Sequence, residues 1–348
     1  MTEFTATIDE MEGMNDFRLK LFQSGDSQNI IIDGWNGETK KVVIPTAFGA
    51  IPVTEIGKYA FLYKSKIQKI TLPACIKSIG DHAFSDCSNL NDIIFPENLA
   101  NIDDYAFDNC EQLSAITLPK GLVNMGDNVF TGCGNLAEIN VDEQNPVFCS
   151  MDGVLFNKSR TALLKYPQAK KGEYTIPVSV IELADDTFTG CNELSKVIFP
   201  QNLMDADWSF FGCNKLEEIT VSNGNTEFSS IDGVLFDNKG EDLLRYPMGK
   251  SIIEYLIPEK TEYILHGAFY ECKKLANVIF PEGLKHIQSG AFRNCENLTA
   301  LTLPSSLAFI GQKAFKGCTR LRSISLSHNT MCAYTAFEGF EGELIYRE

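Results

Sequence analysis

The sequence predicts an α/β repeat solenoid, with a parallel sheet on one face, short helical turns on the other and two β-hairpin inserts. Three observations predict it. Phenylalanine returns every 22 or 23 residues, most returns follow a β-prone segment closed by proline, and the two long intervals in the series contain the same Asp-Gly motif. A fixed period of this length means units that cannot bury an apolar side alone and must stack on their neighbours.

The anchors are Phe61, Phe84, Phe107 and Phe130, then Phe188 and Phe210, then Phe269, Phe292, Phe315 and Phe337. One copy reads Leu113-x-x-Ile116-x-Leu118-Pro119-x-x-Leu122-x-x-Met125-Gly126-x-x-Val129-Phe130-x-x-Cys133, and others place Ala before the Phe, as in Ala291-Phe292 and Ala314-Phe315. The Ile-x-Leu step has strand period. Pro96, Pro119, Pro200, Pro281 and Pro304 close it, because proline has no N–H to give a ladder. The following Ala-Phe-x-x-Cys-x-x-Leu spaces apolar residues by three and four, which predicts a short helical turn.

Phe130 to Phe188 is 58 residues and Phe210 to Phe269 is 59, about 35 more than one period each. The two inserts match. Phe148-Cys149-Ser150-Met151-Asp152-Gly153-Val154-Leu155-Phe156 parallels Phe228-Ser229-Ser230-Ile231-Asp232-Gly233-Val234-Leu235-Phe236, and Asp-Gly between β-prone runs signals a tight hairpin. Leu163-Leu164-Lys165-Tyr166-Pro167 then parallels Leu243-Leu244-Arg245-Tyr246-Pro247, and the solenoid resumes as a strand at Ile176-Pro177 and Ile257-Pro258. The reading is an N-terminal capping segment at 1–50 and a solenoid at 51–348. Within the solenoid lie inserts at about 142–177 and 222–258 and a C-terminal cap at about 327–348. Nine repeat strands and three Ile-Pro strands at ~4.8 Å spacing make one sheet roughly 50–60 Å long.

The motif Leu-Pro-x-x-Leu-x-x-Ile-Gly-x-x-Ala-Phe-x-x-Cys resembles the BspA-type, or Treponema-type, leucine-rich repeats of bacteria and some protists, over roughly Ile51 to Phe340. Val42-Val43-Ile44-Pro45 with Ile51-Pro52-Val53-Thr54-Glu55-Ile56-Gly57 resembles the family's N-terminal start. The chain departs from ordinary leucine-rich repeats in building its turn on Pro rather than on an Asn ladder. The resemblance implies a right-handed leucine-rich-repeat solenoid that is not an enzyme. It also implies adhesion to, or interaction with, host or neighbouring-cell components at a bacterial surface.

Of 348 residues, 44% are hydrophobic, enough for a large core. The balance of 30 basic against 46 acidic residues, net −16, excludes a surface built for nucleic acid or an anionic membrane. No run of 18 apolar residues exists, so membrane insertion is not expected. Met1 to Phe17 carries Glu3, Asp9, Glu10, Glu12 and Asp16 without a basic residue, the reverse of a secretory signal. The chain reads as soluble and cytoplasmic by default, with export requiring an upstream leader.

Eight of eleven cysteines, Cys87, Cys110, Cys133, Cys191, Cys213, Cys272, Cys295 and Cys318, sit three after an anchor Phe. This column reads as reduced thiols packed in the core, since parallel Cα–Cβ vectors ~5 Å apart do not suit a disulfide. Cys332 replaces the Ile of its repeat, whereas Cys75 and Cys149 fall in turn or hairpin positions and are the expected reactive thiols. Asp81, Asp104, Asp127, Asp185 and Asp207, with Ser289, precede the anchors by three and read as caps of the helical turns rather than a cation ladder. His82, His266, His286 and His328 occupy different places in their repeats, and no metal, cofactor or catalytic constellation is expected.

Period 2 turns two columns out of the sheet. Thr71, Ile94, Thr117, Asn140, Ile198, Thr220, Ile279 and Thr302, followed by Ser325, form the candidate partner-binding column. Beside it run Lys69, Asp92, Ala115, Glu138, Lys196, Glu218, Asn277, Ala300 and Ser323. Ordinary β-formers would also stand there on propensity alone. As a whole the face reads as a surface for a protein or other macromolecular partner, because solenoids use such extended surfaces. A carbohydrate-binding module, for which Tyr59, Tyr105 and Trp208 share a turn column, and an intracellular interaction scaffold are the alternatives.

Overall fold

Repeats whose apolar residues alternate along strands can bury them only by laying each strand against the same strand of the next repeat. A computed structural model describes residues 16–24, 27–206 and 210–348, so Asp207 and Trp208 lie outside the described residues. The chain divides into two compact units, Met1–Lys170 with Asp186–Gly190 and Lys171–Asp185 with Cys191–Glu348. Each is a β-solenoid. In the first, an antiparallel hairpin, Phe17–Ser24 with Ser27–Trp35, leads in and joins Ile51–Ile56 in parallel.

Within each unit the predicted strands line up in a row. Lys41–Val43, Lys69–Thr71 and Asp92–Ile94 pair in parallel, as do Ala115–Leu118 and Glu138–Val141. In the second unit Gly172–Thr175, Leu194–Phe199 and Glu218–Val221 form one such set. Glu254–Leu256 with Asn277–Ile279 forms the next, and Ala300–Thr302, Ser323–Ser327 and Glu343–Arg347 the last. Each row is therefore several short sheets, not the single long sheet expected. After most of these strands a proline carbonyl accepts from the N–H three residues on, as in Leu99 to Pro96 at 3.0 Å and Leu307 to Pro304 at 3.2 Å. This turn feeds a second row of two-residue parallel strands, among them Ser78–Ile79, Asn101–Ile102, His286–Ile287 and Phe309–Ile310. The Ile-Gly of the motif follows from close stacking. A Cβ on Gly126 would lie 2.5 Å from the backbone N of Asp104, and one on Gly311 would lie 2.4 Å from that of Ser289.

The expected short helical turns are absent: among the described residues there is no helix, and the α/β reading is corrected to all-β. Around the first anchor, the N–H groups of Ala60, Leu62 and Lys64 donate three residues back, to Gly57, Tyr59 and Phe61. The intervening N–H groups of Tyr59, Phe61 and Tyr63 donate across to Asp81, Ala83 and Ser85 of the next turn. The same alternation recurs at Phe84, Phe107 and Phe292. It requires left-handed residues two before and two after the anchor, such as Tyr59 (φ 60°) and Tyr63 (φ 61°), or His82 (φ 53°) and Asp86 (φ 58°). A helix needs every residue right-handed. With no helix to cap, the Asp column does other work. Asp104 accepts the Asp127 N–H of the next turn at 2.8 Å, and Asp81 pairs with Lys58 at 2.5 Å.

Inside the turn the Phe rings stack, with centroids 5.1 Å apart for Phe61–Phe84, 5.2 Å for Phe84–Phe107 and 4.6 Å for Phe269–Phe292. The eight column cysteines are buried and none is in a disulfide. Their thiols have a defined acceptor: Cys87 donates to the Phe61 carbonyl at 3.2 Å, Cys133 to Phe107 at 3.2 Å and Cys295 to Phe269 at 2.9 Å. Burial pushes the thiols of Cys87, Cys133, Cys272 and Cys318 up to about 12. Cys332 does not take an Ile-like buried place. It is exposed, while Cys75 and Cys149 are half-buried, because Met331–Cys332 is the last strand of its row and no further turn covers it.

Both inserts contain the expected hairpin, Phe148–Met151 with Val154–Asn157 and Phe228–Ile231 with Val234–Asp237. Asp152 (φ 51°) and Gly153 (φ 72°) make the primed two-residue turn that hairpin twist favours, and Asp232 and Gly233 repeat it. Tyr166 and Tyr246 then occupy the anchor place. They stand 22 and 23 residues before Phe188 and Phe269 and pack on those rings at 5.4 and 5.0 Å. The insert is thus one enlarged turn of the solenoid. Asn145 locks the first by donating to the carbonyls of Pro119 and Leu122 and accepting from the N–H groups of Val147 and Phe148. Asn225 repeats all four kinds of contact in the second.

Candidate functional site

The parallel register places the candidate column side by side within each sheet. Thr71 pairs with Ile94, Thr117 with Asn140, Ile198 with Thr220, and Thr302 with Ser325. The same register adds Val43 beside Thr71, Thr175 beside Ile198 and Leu256 beside Ile279. These three precede Ile44-Pro45, Ile176-Pro177 and Ile257-Pro258, so the Ile-Pro signal marks the positions that the sequence reading passed over.

Exposure divides the column. Thr71, Ile94, Thr117, Ile279 and Thr302 are exposed, whereas Asn140, Ile198 and Thr220 are half-buried. The hairpins explain two of the latter. The edge of Glu138–Val141 is taken by the first hairpin, with Ile139 N–H donating to the Gly153 carbonyl at 2.8 Å and Val141 N–H to Ser150 Oγ at 3.1 Å. Gly233 and Ser230 do the same to Glu218–Val221, beside Thr220. Ile198 lies between Thr175 and Thr220 in the sheet. The outward aliphatics that remain are Val43 (66% exposed) and Ile94 (76%) in the first unit, and Leu256 (61%) and Ile279 (43%) in the second. Backed by buried Ile70, Ile93 and Val278, these side chains have no partner layer, which is costly unless something covers them.

The adjacent column carries charge and pairs part of it across strands. Lys69 meets Asp92 at 2.5 Å, Lys196 meets Glu218 at 2.8 Å, and Asn277 donates to Glu254 at 2.7 Å. The Lys196 ammonium, by hydrogen bond first, holds the Glu218 carboxyl below its ordinary range, and Glu218 raises Lys196 in return. A cavity of about 470 Å³ opens over Lys69, Thr71, Asp92 and Ile94, walled by Phe95 and Pro96. The arrangement suits contact with an extended partner: aliphatic and Thr groups at the centre, paired charges alongside.

The turn column offers a different surface in the first unit. Tyr59 meets His82 at a tilt of 51° with centroids 5.3 Å apart, and His82 stacks on Tyr105 at 4.8 Å. Trp208 of the same column lies outside the described residues. His286 packs between Tyr263 and Phe309, and His328 packs on Tyr346. Among the described residues no group of three His, Cys, Asp or Glu side chains is placed to hold a metal, and no helix is long and apolar enough to cross a membrane.

Parallel strand rows at a 22- or 23-residue step, proline turns and a buried Phe-Cys interior define a leucine-rich-repeat solenoid. The chain belongs to the BspA type leucine rich repeat family, whose pattern matches six copies over residues 54–171, 166–239 and 248–344. No curated protein matched. Three solved structures share the fold. A leucine rich cell surface protein of Faecalibacterium prausnitzii A2-165 is 21% identical with a TM-score of 0.60, covering 99% of this chain and 96% of its own. A leucine-rich repeat protein of Eubacterium ventriosum ATCC 27560 is 22% identical with a TM-score of 0.56, over 86% of this chain and 92% of its own. The pneumococcal vaccine antigen PcpA is 22% identical with a TM-score of 0.54, over 94% and 83%.

Proposed function

We propose that this chain is a non-enzymatic recognition protein that binds a protein partner on its outward strand face, in the manner of a bacterial surface adhesin. The observation that carries the reading is the exposed aliphatic row, Val43 with Ile94 and Leu256 with Ile279, set beside the Lys69–Asp92 ion pair in the first unit and the Asn277–Glu254 hydrogen bond in the second. Covering such groups removes apolar area from water at about 25 cal/mol per Å², and in the first unit the flanking Asp92 is already paired with Lys69. The cell-surface description of the Faecalibacterium protein and the antigen status of PcpA support a place at the outside of a cell.

The test uses immobilised host-matrix and neighbouring-cell proteins as candidate partners. Ile94→Glu and Ile279→Glu, one in each unit, are expected to weaken capture by at least about 1–2 kcal/mol each, because interfaces concentrate their energy in few residues. Thermal unfolding should stay nearly unchanged. Full binding by both variants would move the site elsewhere, first to the hairpin tips at Asp152-Gly153 and Asp232-Gly233.

A further inference from the structure

In the second unit two successive turns carry no side chain in the outer turn column. Gly267 (φ 61°) and Gly290 (φ 63°) occupy the left-handed place that Tyr59, His82 and Tyr105 fill in the first unit, and Lys313 (φ 54°) follows them. A cavity of about 400 Å³ results, with Phe211, Tyr270, His266, Arg293, Ser289 and Gln312 among its walls. Phe211 and Tyr270 meet edge to face at 5.0 Å and 84°, which leaves a ring face and a ring edge forming one corner.

The electrostatics of this cavity run against the −16 net charge of the chain. Among the described residues its charged lining is cationic, Arg293 and Lys313 with His266, and includes no carboxylate. Arg293 stands over the Tyr270 ring at 5.8 Å, and its buried Nε has no hydrogen-bond partner. Behind the Phe211 wall, 5.2 Å from that ring, lies Arg245, only 1% exposed. Its Nη1 donates to the Gly267 carbonyl at 2.7 Å, its Nε is likewise unpartnered, and among the described residues no carboxylate pairs with it. Glu271 and Glu338 are near enough to act on this region electrostatically, but neither lines the cavity, and Glu338 is held by Lys316 at 2.5 Å. Among the described residues the buried Arg245 guanidinium therefore has carbonyl partners and no paired carboxylate, and it places positive charge behind the cavity wall.

From this juxtaposition we propose that the cavity binds a sugar unit carrying a carboxylate. Arg293 takes the carboxylate, since its planar fork suits that group. The Phe211–Tyr270 corner packs the apolar face of the ring, and Ser289, Gln312 and His266 meet hydroxyls. The cavity has the size of a small-ligand site. It is separate from the strand face and does not depend on the partner proposed there.

The experiment is titration of the full chain with glucuronate, glucose and acetate, followed by ligand-observed NMR, with a glucuronate-terminated oligosaccharide as a further arm. Glucuronate should bind at least about tenfold more tightly than glucose or acetate. Tighter binding of the oligosaccharide assigns the sugar to a glycan end, and equal binding assigns it to a free sugar acid. Gly290→Tyr should abolish binding, because the same column elsewhere carries Tyr at the same backbone angles and a Cβ on Gly290 meets nothing closer than His266 at 3.9 Å. Arg293→Gln should weaken glucuronate about tenfold and leave the weak binding of glucose unchanged, and it is read independently of the Tyr variant. Equal binding of all three small probes, no binding of glucuronate, or an unaffected Arg293→Gln protein would overturn the assignment.

Discussion

The turn of the first unit around Phe84 and the turn of the second around Phe292 share a backbone and differ on the outside. Their anchor rings stack alike, 5.1 Å from Phe61 to Phe84 and 5.5 Å from Phe292 to Phe315, and their thiols bond alike to the carbonyl of the preceding anchor. Two residues before the anchor, however, one carries His82 within an aromatic ladder and the other carries Gly290 beside a cavity. The difference teaches that alternating hydrogen bonds within and between turns hold the loop from the backbone alone, so the interior is dictated and the exterior is free to vary. Function is to be sought where the turns differ.

The largest expected effect falls on the shared interior. Phe107 is fully buried and packs on Phe84, Phe95 and Phe130. Phe107→Ala should cost about 3–5 kcal/mol in chemical denaturation. Because turns contact mainly their neighbours, hydrogen exchange should accelerate most over residues 84–136. Uniform acceleration throughout the chain would mean that the interior is not organised turn by turn.

The second effect comes from the thiols. Their folded values are raised to about 12 for Cys87, Cys133, Cys272 and Cys318, above the ordinary 9.0 of an unfolded thiol. The folded state therefore keeps protons that the unfolded state has released. Stability is fully present below pH 9 and is lost as pH rises towards 12, by about 1.4 kcal/mol per thiol per pH unit. A pH series of denaturation midpoints checks this, with Cys→Ala variants at two column positions expected to flatten the slope above pH 9. An unchanged slope would show that the column does not control alkaline unfolding. Alkylation in the native state should label Cys332 before Cys75 and Cys149, and all three before the column.

The sequence carried the interior well because stacking leaves a direct periodic trace: the Phe step, the Cys column and the Pro turns all return in register. It misled at the turn, since apolar spacing of three and four fits a helix and this loop equally. The useful signal was small: Asp86, Asn109, Gly132, Gly190, Asn294 and Gly317 two after the anchors are residue types that tolerate left-handed backbone. Tyr166 and Tyr246 were hidden by an aromatic change despite correct spacing. The breaks in the strand row and the cavity at Gly267 and Gly290 left no local trace, because each depends on what a neighbouring turn or hairpin covers.

A third effect tests the inter-turn role of the Asp column. Asp104→Ala removes the acceptor for the Asp127 N–H and should cost about 1 kcal/mol. Asp104→Asn, which keeps an acceptor oxygen, should recover most of it. An equal loss in both variants would trace the effect to charge instead of to this bond.

The smallest effect sharpens the contrast between interior and exterior most directly. Ile94 is the most exposed aliphatic of its column, and its register neighbour Thr71 is exposed as well. Its backbone pairing does not depend on the side chain, and the buried Ile93 and Phe95 on either side point the other way. Ile94→Lys should therefore shift the denaturation midpoint by no more than about 0.5 kcal/mol, the usual range for an exposed position. A loss of 2 kcal/mol or more would mean that Ile94 packs in the isolated chain. The aliphatic row would then be part of the fold's own interior, and its availability to a partner would fail together with the distinction between the two faces.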